Sequence, residues 1–182
     1  TVLVERDQGI RDSTLEGLSS LNPIIEGGVH TAGNSSQISD GAAAVLYMSK
    51  DEALAQGLKP RARILFDVLV GTDPYYLLDG PVDATARIEK KSGMSIRNDI
   101  DLYEINEAFA VVTMAAMTDL NISHDKVNVH GGACALGHPV GSSGSRIIIT
   151  LIAALETYGK KRGIASLCIG GGEATAVAVE LV

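Results

Sequence analysis

Several features that mark common protein classes are missing from this chain of 182 residues. Only two cysteines occur, too few for a disulfide framework, so we predict a reducing compartment and a cytoplasmic protein. The longest apolar run, Ile147–Leu155, is interrupted by Thr150 and is far too short to span a bilayer, so no membrane is expected as a partner. The net charge is −7 and no basic cluster exceeds residues 160–162, which argues against a nucleic-acid partner.

Metal and nucleotide motifs are missing as well. No pair of His, Cys or acidic residues has the C-x-x-C or H-E-x-x-H spacing of metal sites, so we predict no metal. There is no Walker A sequence and no G-x-G-x-x-G after a first strand, which disfavours a dinucleotide-binding α/β domain. The negative charge does not exclude an anionic ligand, because backbone N–H groups at the start of a helix can bind phosphate.

At 182 residues the chain is long enough for one well-filled core, and its apolar content of 46% argues against disorder. Residues 1–40 are polar and rich in turns, with one short helix suggested by Leu15, Leu18 and Leu21. From residue 41 onwards strands and helices alternate, which predicts an α/β fold with a mainly five-stranded mixed sheet covered by helices. The predicted strands cover residues 43–49, 61–70, 102–105, 164–169 and 175–181, residues 127–130 are predicted to be extended, and the predicted helices cover residues 51–57, 83–92, 107–120 and 142–158.

Two of the predicted helices are apolar on every side. Residues 108–117 contain Thr113 as their only polar residue, and residues 147–155 contain only Thr150. A helix that is apolar all round is buried all round. We therefore predict that both helices lie on one side of the sheet, as buried central helices between this sheet and a second one supplied from elsewhere.

Two glycine-rich segments, GGACALGHPVG at 131–141 and CIGGG at 168–172, surround the most reactive side chains. Glycine allows a backbone to approach a ligand closely, so these segments suggest a binding site. His138 is either a general base or oxyanion donor, or a loop histidine satisfied by backbone groups. Cys168 is either an acid, base or nucleophile beside glycine N–H groups, or a buried core cysteine. Their occurrence in two such segments favours the functional interpretation of both.

The other polar candidates are less specific. Asn106 follows a strand and precedes a helix, so it fits an N-cap and also a ligand-binding amide at the carboxyl end of a strand. Cys134 is interpreted as a small packing residue. His30 and His124 are expected to be solvated, and His130 is ambiguous.

Four segments stand out in this chain: TAGNSS at 31–36 with DGAAA at 40–44, NEAF at 106–109, GGACALGHPVG at 131–141 and CIGGG at 168–172. In order and spacing, the last three resemble C-terminal signatures of the thiolase family, and the first resembles a fourth, upstream segment of that family. The likeness covers essentially the whole chain, and residues 36–40, 74–76 and 79–81 look closest to actinobacterial 3-ketoacyl-CoA thiolases, including steroid-degrading ones.

The resemblance implies an acyl-CoA C-acyltransferase that performs Claisen condensation or thiolytic cleavage of 3-ketoacyl-CoA through an acyl-enzyme. The substrate would be a coenzyme A thioester, and no resident cofactor is implied. His138 would activate the nucleophilic cysteine and bind the thioester oxygen, Cys168 would move the proton at the substrate α-carbon, and Asn106 would hold a water that completes this oxyanion site. The N–H of Gly170 would join the other oxyanion hole, and the pantetheine path would be lined by Ser36, Ala32, Ala108 and Phe109.

The sequence departs from the family in one large respect, because no cysteine has the Cys-Ser-Ser-Gly context of the family nucleophile. The resemblance therefore implies the C-terminal half of a thiolase, normally part of a five-layer αβαβα sandwich. Residues 1–40 would be the tail of the loop domain and N-terminal half together with a linker, and residues 41–182 would be the C-terminal domain. The chain is expected to be a fragment or the ordered half of a longer protein rather than a stand-alone remnant.

Several expectations follow from the half-molecule interpretation. The N-terminal half and coenzyme A are expected as partners, with assembly into a homodimer or homotetramer, and the chain alone is expected to be inactive. The alternative is a non-catalytic thiolase-like protein that binds acyl-CoA or lipid. The presence of Asn106, His138 and Cys168 together speaks against that alternative. A related ketoacyl synthase would place a second histidine, in place of Cys168, before the final glycines.

Overall fold

The computed structural model describes residues 2–3, 5–7 and 9–182. In the described part of the chain, no helix is long and apolar enough to cross a membrane. The strands are β1 (Ala62–Gly71), β2 (Leu102–Ile105), β3 (Arg162–Ile169) and β4 (Glu173–Leu181). The α-helices are α1 (Leu15–Ser19), α2 (Lys50–Ala55), α3 (Gly80–Ser92), α4 (Ala110–Leu120), α5 (Ala133–Leu136) and α6 (Ser143–Thr157), and short 3₁₀ turns cover Leu77–Asp79 and His124–Lys126.

The strands form one mixed sheet in the order β1-β4-β3-β2. The β1–β4 and β3–β4 pairs are antiparallel, and the β2–β3 pair is parallel. The α/β prediction is confirmed, whereas the prediction of five strands is wrong. The fifth strand was expected over residues 43–49, but within the described residues that segment pairs with no strand and is largely exposed. A strand needs a neighbour for its backbone groups, and this segment has none in the sheet.

Helices cover both faces of the sheet. On one face, α3 and α4 pack in a core that contains Ile88, Val112 and Ile164. On the other face, α6 packs through Leu151 and Leu155 in a second core. Small and bulky residues alternate along β4, and this alternation explains the close packing on the first face. Ala174, Ala176 and Ala178 face the first core and leave room for its helices.

The prediction that the two apolar helices share one side of the sheet is therefore wrong. Helix α4 lies beside α3 on one face, and α6 lies on the opposite face. Helix α4 is also not buried all round, because Val111 and Met114 are exposed. Apolar composition sets how much surface a helix can bury, but it does not specify the face of the sheet on which the helix lies. Helix α6 has no exposed residue between Ser143 and Leu155, in keeping with its predicted central burial.

Two predicted helix starts also differ from the structure. Helix α3 begins at Gly80 and not at Asp83, because Pro81 is tolerated in the first turn, where its missing N–H costs nothing. Helix α4 begins at Ala110, with an extended Phe109 as its N-cap residue. The N-cap interpretation of Asn106 is consequently wrong, since its side chain lies in contacts away from the helix start.

Candidate functional site

His138 lies on a short loop between α5 and α6. Helix α5 ends at Leu136, and Gly137 then adopts a φ of +90°, a conformation that favours glycine. The backbone N–H of His138 donates to the carbonyl of Gln37 at 2.9 Å, so the upstream segment holds the loop in place. The prediction that His138 lies on a fixed loop before a helix is confirmed. The position of this loop depends on the contact with Gln37, which is remote in sequence.

The two ring nitrogens of His138 have different partners. Nδ1 lies 2.6 Å from Ser143 Oγ, and Nε2 lies 3.3 Å from Asn106 Nδ2. Ser143 Oγ donates to the carbonyl of Pro139 at 3.0 Å, so its single proton is used and it accepts from Nδ1–H. This assignment leaves Nε2 as the lone-pair nitrogen, facing the amide N–H of Asn106. Burial and the positive charge of Arg146 lower the pKa of His138, which favours a neutral ring able to accept a proton.

Asn106 is buried and directly follows β2. Its backbone N–H donates to the carbonyl of Ser166 at 3.0 Å, which anchors it to β3. Its side-chain Oδ1 accepts from Arg146 Nη2 at 3.2 Å, so the amide lies between His138 and an arginine of α6. The structure thus brings Asn106 and His138 together at the carboxyl edge of the β2–β3 pair.

Cys168 lies near the end of β3 and is half-buried. Because β2 and β3 are parallel, Cys168 and Asn106 lie at the same edge of the sheet. The register places Cys168 opposite Ala174, which belongs to the α3 face. Within the described residues no hydrogen bond joins Cys168 to His138 or Asn106. Burial raises the pKa of the Cys168 thiol, so the resting group is a protonated thiol suited to giving up a proton only to a strong base.

The glycines after Cys168 form a tight connection between β3 and β4. Gly171 and Gly172 have φ values of +109° and +95°, which only glycine adopts readily. A Cβ on Gly170 would meet no atom within 4 Å, so there is open space beside this residue. Of the described residues, none accepts a hydrogen bond from the Gly170 N–H. The Gly170 N–H is therefore a free donor at the sheet edge where Asn106 and Cys168 lie.

The predicted substrate-binding residues come from two segments that lie side by side. The N–H of Ser36 donates to the carbonyl of Ala108 at 3.1 Å, and Ser35 forms an isolated antiparallel bridge with Phe109. Ala32 lies in the exposed turn just upstream. The rings of His30 and Phe109 lie 4.7 Å apart, so His30 is a packing residue and not only a solvated one. Ser36, Ala108 and Phe109 thus form one strip close to Asn106, and Ala32 lies in the turn that precedes this strip.

Cys134 is tied to Glu107. Its backbone N–H donates to Glu107 Oε2 at 3.1 Å, while Asn128 Nδ2 donates to Glu107 Oε1 at 2.9 Å. Burial and the charge of Glu107 raise the pKa of the Cys134 thiol to about 11. Such a thiol is a poor nucleophile at neutral pH, in agreement with its interpretation as a packing residue. The Glu107 carboxylate also occupies the space that a Cβ on residue 132 would need, which explains why this position is a glycine.

Sequence reasoning missed the polar residues behind the site, among them Ser143, Arg146, Glu104 and Glu107. Glu104 offered a signal, because a carboxylate between Tyr103 and Ile105 in a short apolar strand is unusual. Arg146 offered another, because it directly precedes the apolar run of α6. No group of three or more metal-binding side chains is found within the described residues. The expectation of no metal stays a prediction.

Gly137→Ala is expected to destabilise the protein and displace His138. Residue 137 has a φ of +90°, and an added Cβ would collide with the Ser39 side chain. Strain at such a backbone position costs about 1–3 kcal/mol. Urea unfolding should show a loss in this range, and the His138 ring signal should shift in NMR spectra. The control Gly144→Ala, where an added Cβ meets nothing within 4 Å, should show no loss of stability, because alanine is more favourable than glycine in a helix.

Glu104→Gln is expected to remove a pH dependence of stability. Burial raises the pKa of Glu104 to about 8, despite the opposing charge of Arg146. A carboxyl whose folded pKa is raised stays protonated in the folded state while the unfolded chain ionises, so stability falls as pH rises from about 4.5 to 8. Unfolding at pH 5 and pH 8 should show that wild type loses more stability than Glu104→Gln. An equal loss in both proteins would contradict the expectation.

Comparison with known proteins places this site in a family. Residues 58–181 match the thiolase C-terminal domain, and residues 1–51 match the thiolase N-terminal domain. The chain belongs to the thiolase family. Among curated thiolase relatives, an acetyl-CoA acetyltransferase of Syntrophomonas wolfei is 46% identical over 98% of this chain and 46% of its own length. A protein named steroid 3-ketoacyl-CoA thiolase FadA6, of Mycobacterium tuberculosis, is 45% identical over 96% of this chain and 42% of its own length.

Solved thiolase structures share the fold. The Bacillus anthracis acetyl-CoA acetyltransferase matches with a TM-score of 0.93 at 41% identity, covering 97% of this chain and 45% of that one. Human mitochondrial 3-ketoacyl-CoA thiolase in complex with CoA matches with a TM-score of 0.88 at 37% identity, covering 98% of this chain and 46% of that one. The chain thus spans about half the length of the thiolases that it matches.

Proposed function

We propose that the protein to which this chain belongs is an acyl-CoA C-acyltransferase that cleaves or forms 3-ketoacyl-CoA by thiolase chemistry. The contact between Asn106 Nδ2 and His138 Nε2 carries the proposal, because it pairs a neutral base with a fixed donor at the edge where Cys168 and Gly170 lie. Residues 41–182 would supply the C-terminal domain. Residues 1–40 would belong to the N-terminal half, which would complete the site.

In the proposed mechanism, His138 acts at its Nε2 atom. It accepts the proton of a nucleophilic cysteine contributed by the N-terminal half, and the resulting thiolate attacks the 3-keto carbon of the substrate. The bond between the α and β carbons then breaks, leaving an acyl-enzyme and the enolate of acetyl-CoA. Cys168 donates its proton to the α-carbon of that enolate and becomes a thiolate. This thiolate takes the proton of a coenzyme A thiol, whose sulfur attacks the acyl-enzyme, so that acyl-CoA forms as the bond to the nucleophilic cysteine breaks. In the condensing direction Cys168 takes the same proton.

Two sets of fixed donors would stabilise the developing charge. Asn106 and His138 would bind the thioester oxygen on one side, with a water held by Asn106. The Gly170 N–H, which has no acceptor among the described residues, would bind the oxyanion formed at the acylated carbon. Donors held in place before the reaction are effective because they need not reorganise as charge develops.

Coenzyme A thioesters are the proposed substrates, and no resident cofactor is needed for these steps. The pantetheine chain would follow the strip formed by Ser36, Ala108 and Phe109, together with Ala32 in the preceding turn. The relatives named acetyl-CoA acetyltransferase and 3-ketoacyl-CoA thiolase, and the human structure in complex with CoA, support this substrate class. A homodimer or homotetramer in the cytoplasm is proposed for the complete protein.

The experiment is a thiolysis assay on the full-length protein. Acetoacetyl-CoA and longer 3-ketoacyl-CoA substrates are mixed with coenzyme A, and acyl-CoA products are separated and identified by mass. Turnover with release of acetyl-CoA supports the proposal. Tight binding of acyl-CoA without turnover by the folded protein would contradict it and would support the non-catalytic lipid-binding alternative. Light scattering on the same sample gives the oligomeric state.

A further inference from the structure

Arg146 joins the site to the start of α6. Its Nη2 atom lies 3.2 Å from Asn106 Oδ1, on the side of the amide away from His138. Asn106 itself is buried, so its amide cannot exchange this partner for bulk water. Arginine only donates hydrogen bonds, so the amide must turn its oxygen towards Arg146. Its nitrogen then faces His138.

The orientation of the Asn106 amide determines what His138 faces. With Oδ1 towards Arg146, Nδ2 points at His138 Nε2 and donates to its lone pair. In the flipped orientation Oδ1 would face Nε2, an arrangement that favours a proton on Nε2 and removes the base. The flip would also place the amide NH₂ against the guanidinium, with two donors facing each other. A hydrogen bond from a charged donor is strong enough to hold one orientation of such an amide.

Arg146 lies near a buried carboxyl group. Its Nε and Nη1 atoms and Glu104 Oε1 are buried and have no hydrogen-bond partner among the described residues. Glu104 is 1% exposed and lies near enough for the charge of Arg146 to lower its pKa against the effect of burial. A charge buried in this way is expensive to maintain unless it has a counter-charge. The raised pKa of Glu104 keeps its carboxyl protonated at neutral pH, so Asn106 Oδ1 is the acceptor that the structure provides for the Arg146 guanidinium.

We propose that Arg146 is a positioning residue that fixes the Asn106 amide with Nδ2 towards His138. The catalytic part of this inference rests on the proposed thiolase function. Arg146 itself does not touch the reacting atoms. It acts through Asn106, and its effect on the reaction should therefore disappear when the Asn106 amide is removed.

A double-mutant cycle in the full-length protein tests this dependence. Arg146→Met should lower kcat by about 10- to 100-fold with the KM for coenzyme A changed less than about twofold, below the ~10²–10³ typical of losing an oxyanion donor outright. Asn106→Ala should be at least as severe, and the double variant should match Asn106→Ala within about threefold. Losses that multiply would overturn the proposal. Arg61→Met is the matched control, because it removes an exposed arginine that pairs with Glu156 of α6 at 2.7 Å, and it should retain wild-type turnover.

The tautomer of His138 gives a readout independent of activity. With ¹⁵N-labelled histidine, wild type should show Nδ1–H and an unprotonated Nε2, and Arg146→Met should shift the ring towards Nε2–H. Arg146→Lys, which keeps the charge and a donor, should restore the wild-type tautomer and serves as the variant of choice if Arg146→Met fails to fold. An inactive wild type with this tautomer shift would refute the proposed function and keep the positioning role. An unchanged tautomer in folded Arg146→Met would refute the positioning role whatever the activity.

Discussion

Replacing His138 with alanine in the full-length protein is expected to lower turnover severely, because one substitution removes two proposed functions. The ring is the proposed base for the nucleophilic cysteine and also one donor of the thioester oxyanion site. Loss of one fixed oxyanion donor typically costs ~10²–10³ in turnover, so His138→Ala should cost at least that much. Rapid-mixing measurements of acyl-enzyme formation and steady-state thiolysis should both show the loss, because His138 serves both steps.

The matched control for this prediction is His124→Ala. His124 lies in an exposed 3₁₀ turn away from the site, and its removal should leave both rates within about twofold of wild type. The ring of His138 makes two side-chain hydrogen bonds, so the unfolding free energy of the variant should be measured alongside. A folded His138→Ala protein with an intact acylation burst would show that another group activates the nucleophile.

Cys168→Ala is expected to separate the two halves of the reaction. The variant should lose proton transfer at the α-carbon, so steady-state condensation and thiolysis should fall by several orders of magnitude. The first acylation by an acyl-CoA thioester should continue, because it requires His138 and the nucleophile but no proton at the α-carbon. The measurements are the amplitude of the acyl-enzyme burst and the exchange of α-protons of acetyl-CoA into deuterated water.

Cys134→Ala provides the control for the loss of a thiol. Cys134 is also half-buried and has a raised pKa, but its side chain makes only a weak contact, 3.9 Å from Sγ to the carbonyl oxygen of Glu107. Turnover should therefore be retained in Cys134→Ala. If Cys168→Ala abolishes the burst while His138→Ala leaves it intact, the roles assigned to the two residues are reversed.

Much of the fold could be predicted because local patterns were strong. The strand at residues 102–105 was predicted with its observed bounds, and the helix from Ser142 to Tyr158 differs from α6 by one residue at each end. The positions of glycines and of apolar residues are local properties of the sequence, and they predicted the bounds of these two elements closely. The strand predicted at residues 43–49 failed because strand formation depends on a neighbouring strand, which composition does not supply.

The placement of the helices could not be predicted by the same means. Uniform apolar character indicated that α4 and α6 would be deeply buried, yet α4 exposes Val111 and lies beside α3 on the opposite face from α6. The choice of face depends on the crossover connections and on which side of each strand carries small residues. Both are properties of the assembled sheet and not of any one segment.

The sequence alone determined the chemistry that this thiolase-family chain can offer. Residue types with their own reactivity, His138 and Cys168, stand in glycine-rich segments, and this is visible without coordinates because glycine and reactive side chains keep their character in any fold. Only the tertiary structure decided how they are held. The contacts of Ser143 and Pro139 place the histidine proton on Nδ1, and Arg146 of α6 donates a hydrogen bond to Asn106. These contacts join residues from separate elements, and their geometry exists only once the sheet has formed and its parallel strands have brought their carboxyl ends to one edge.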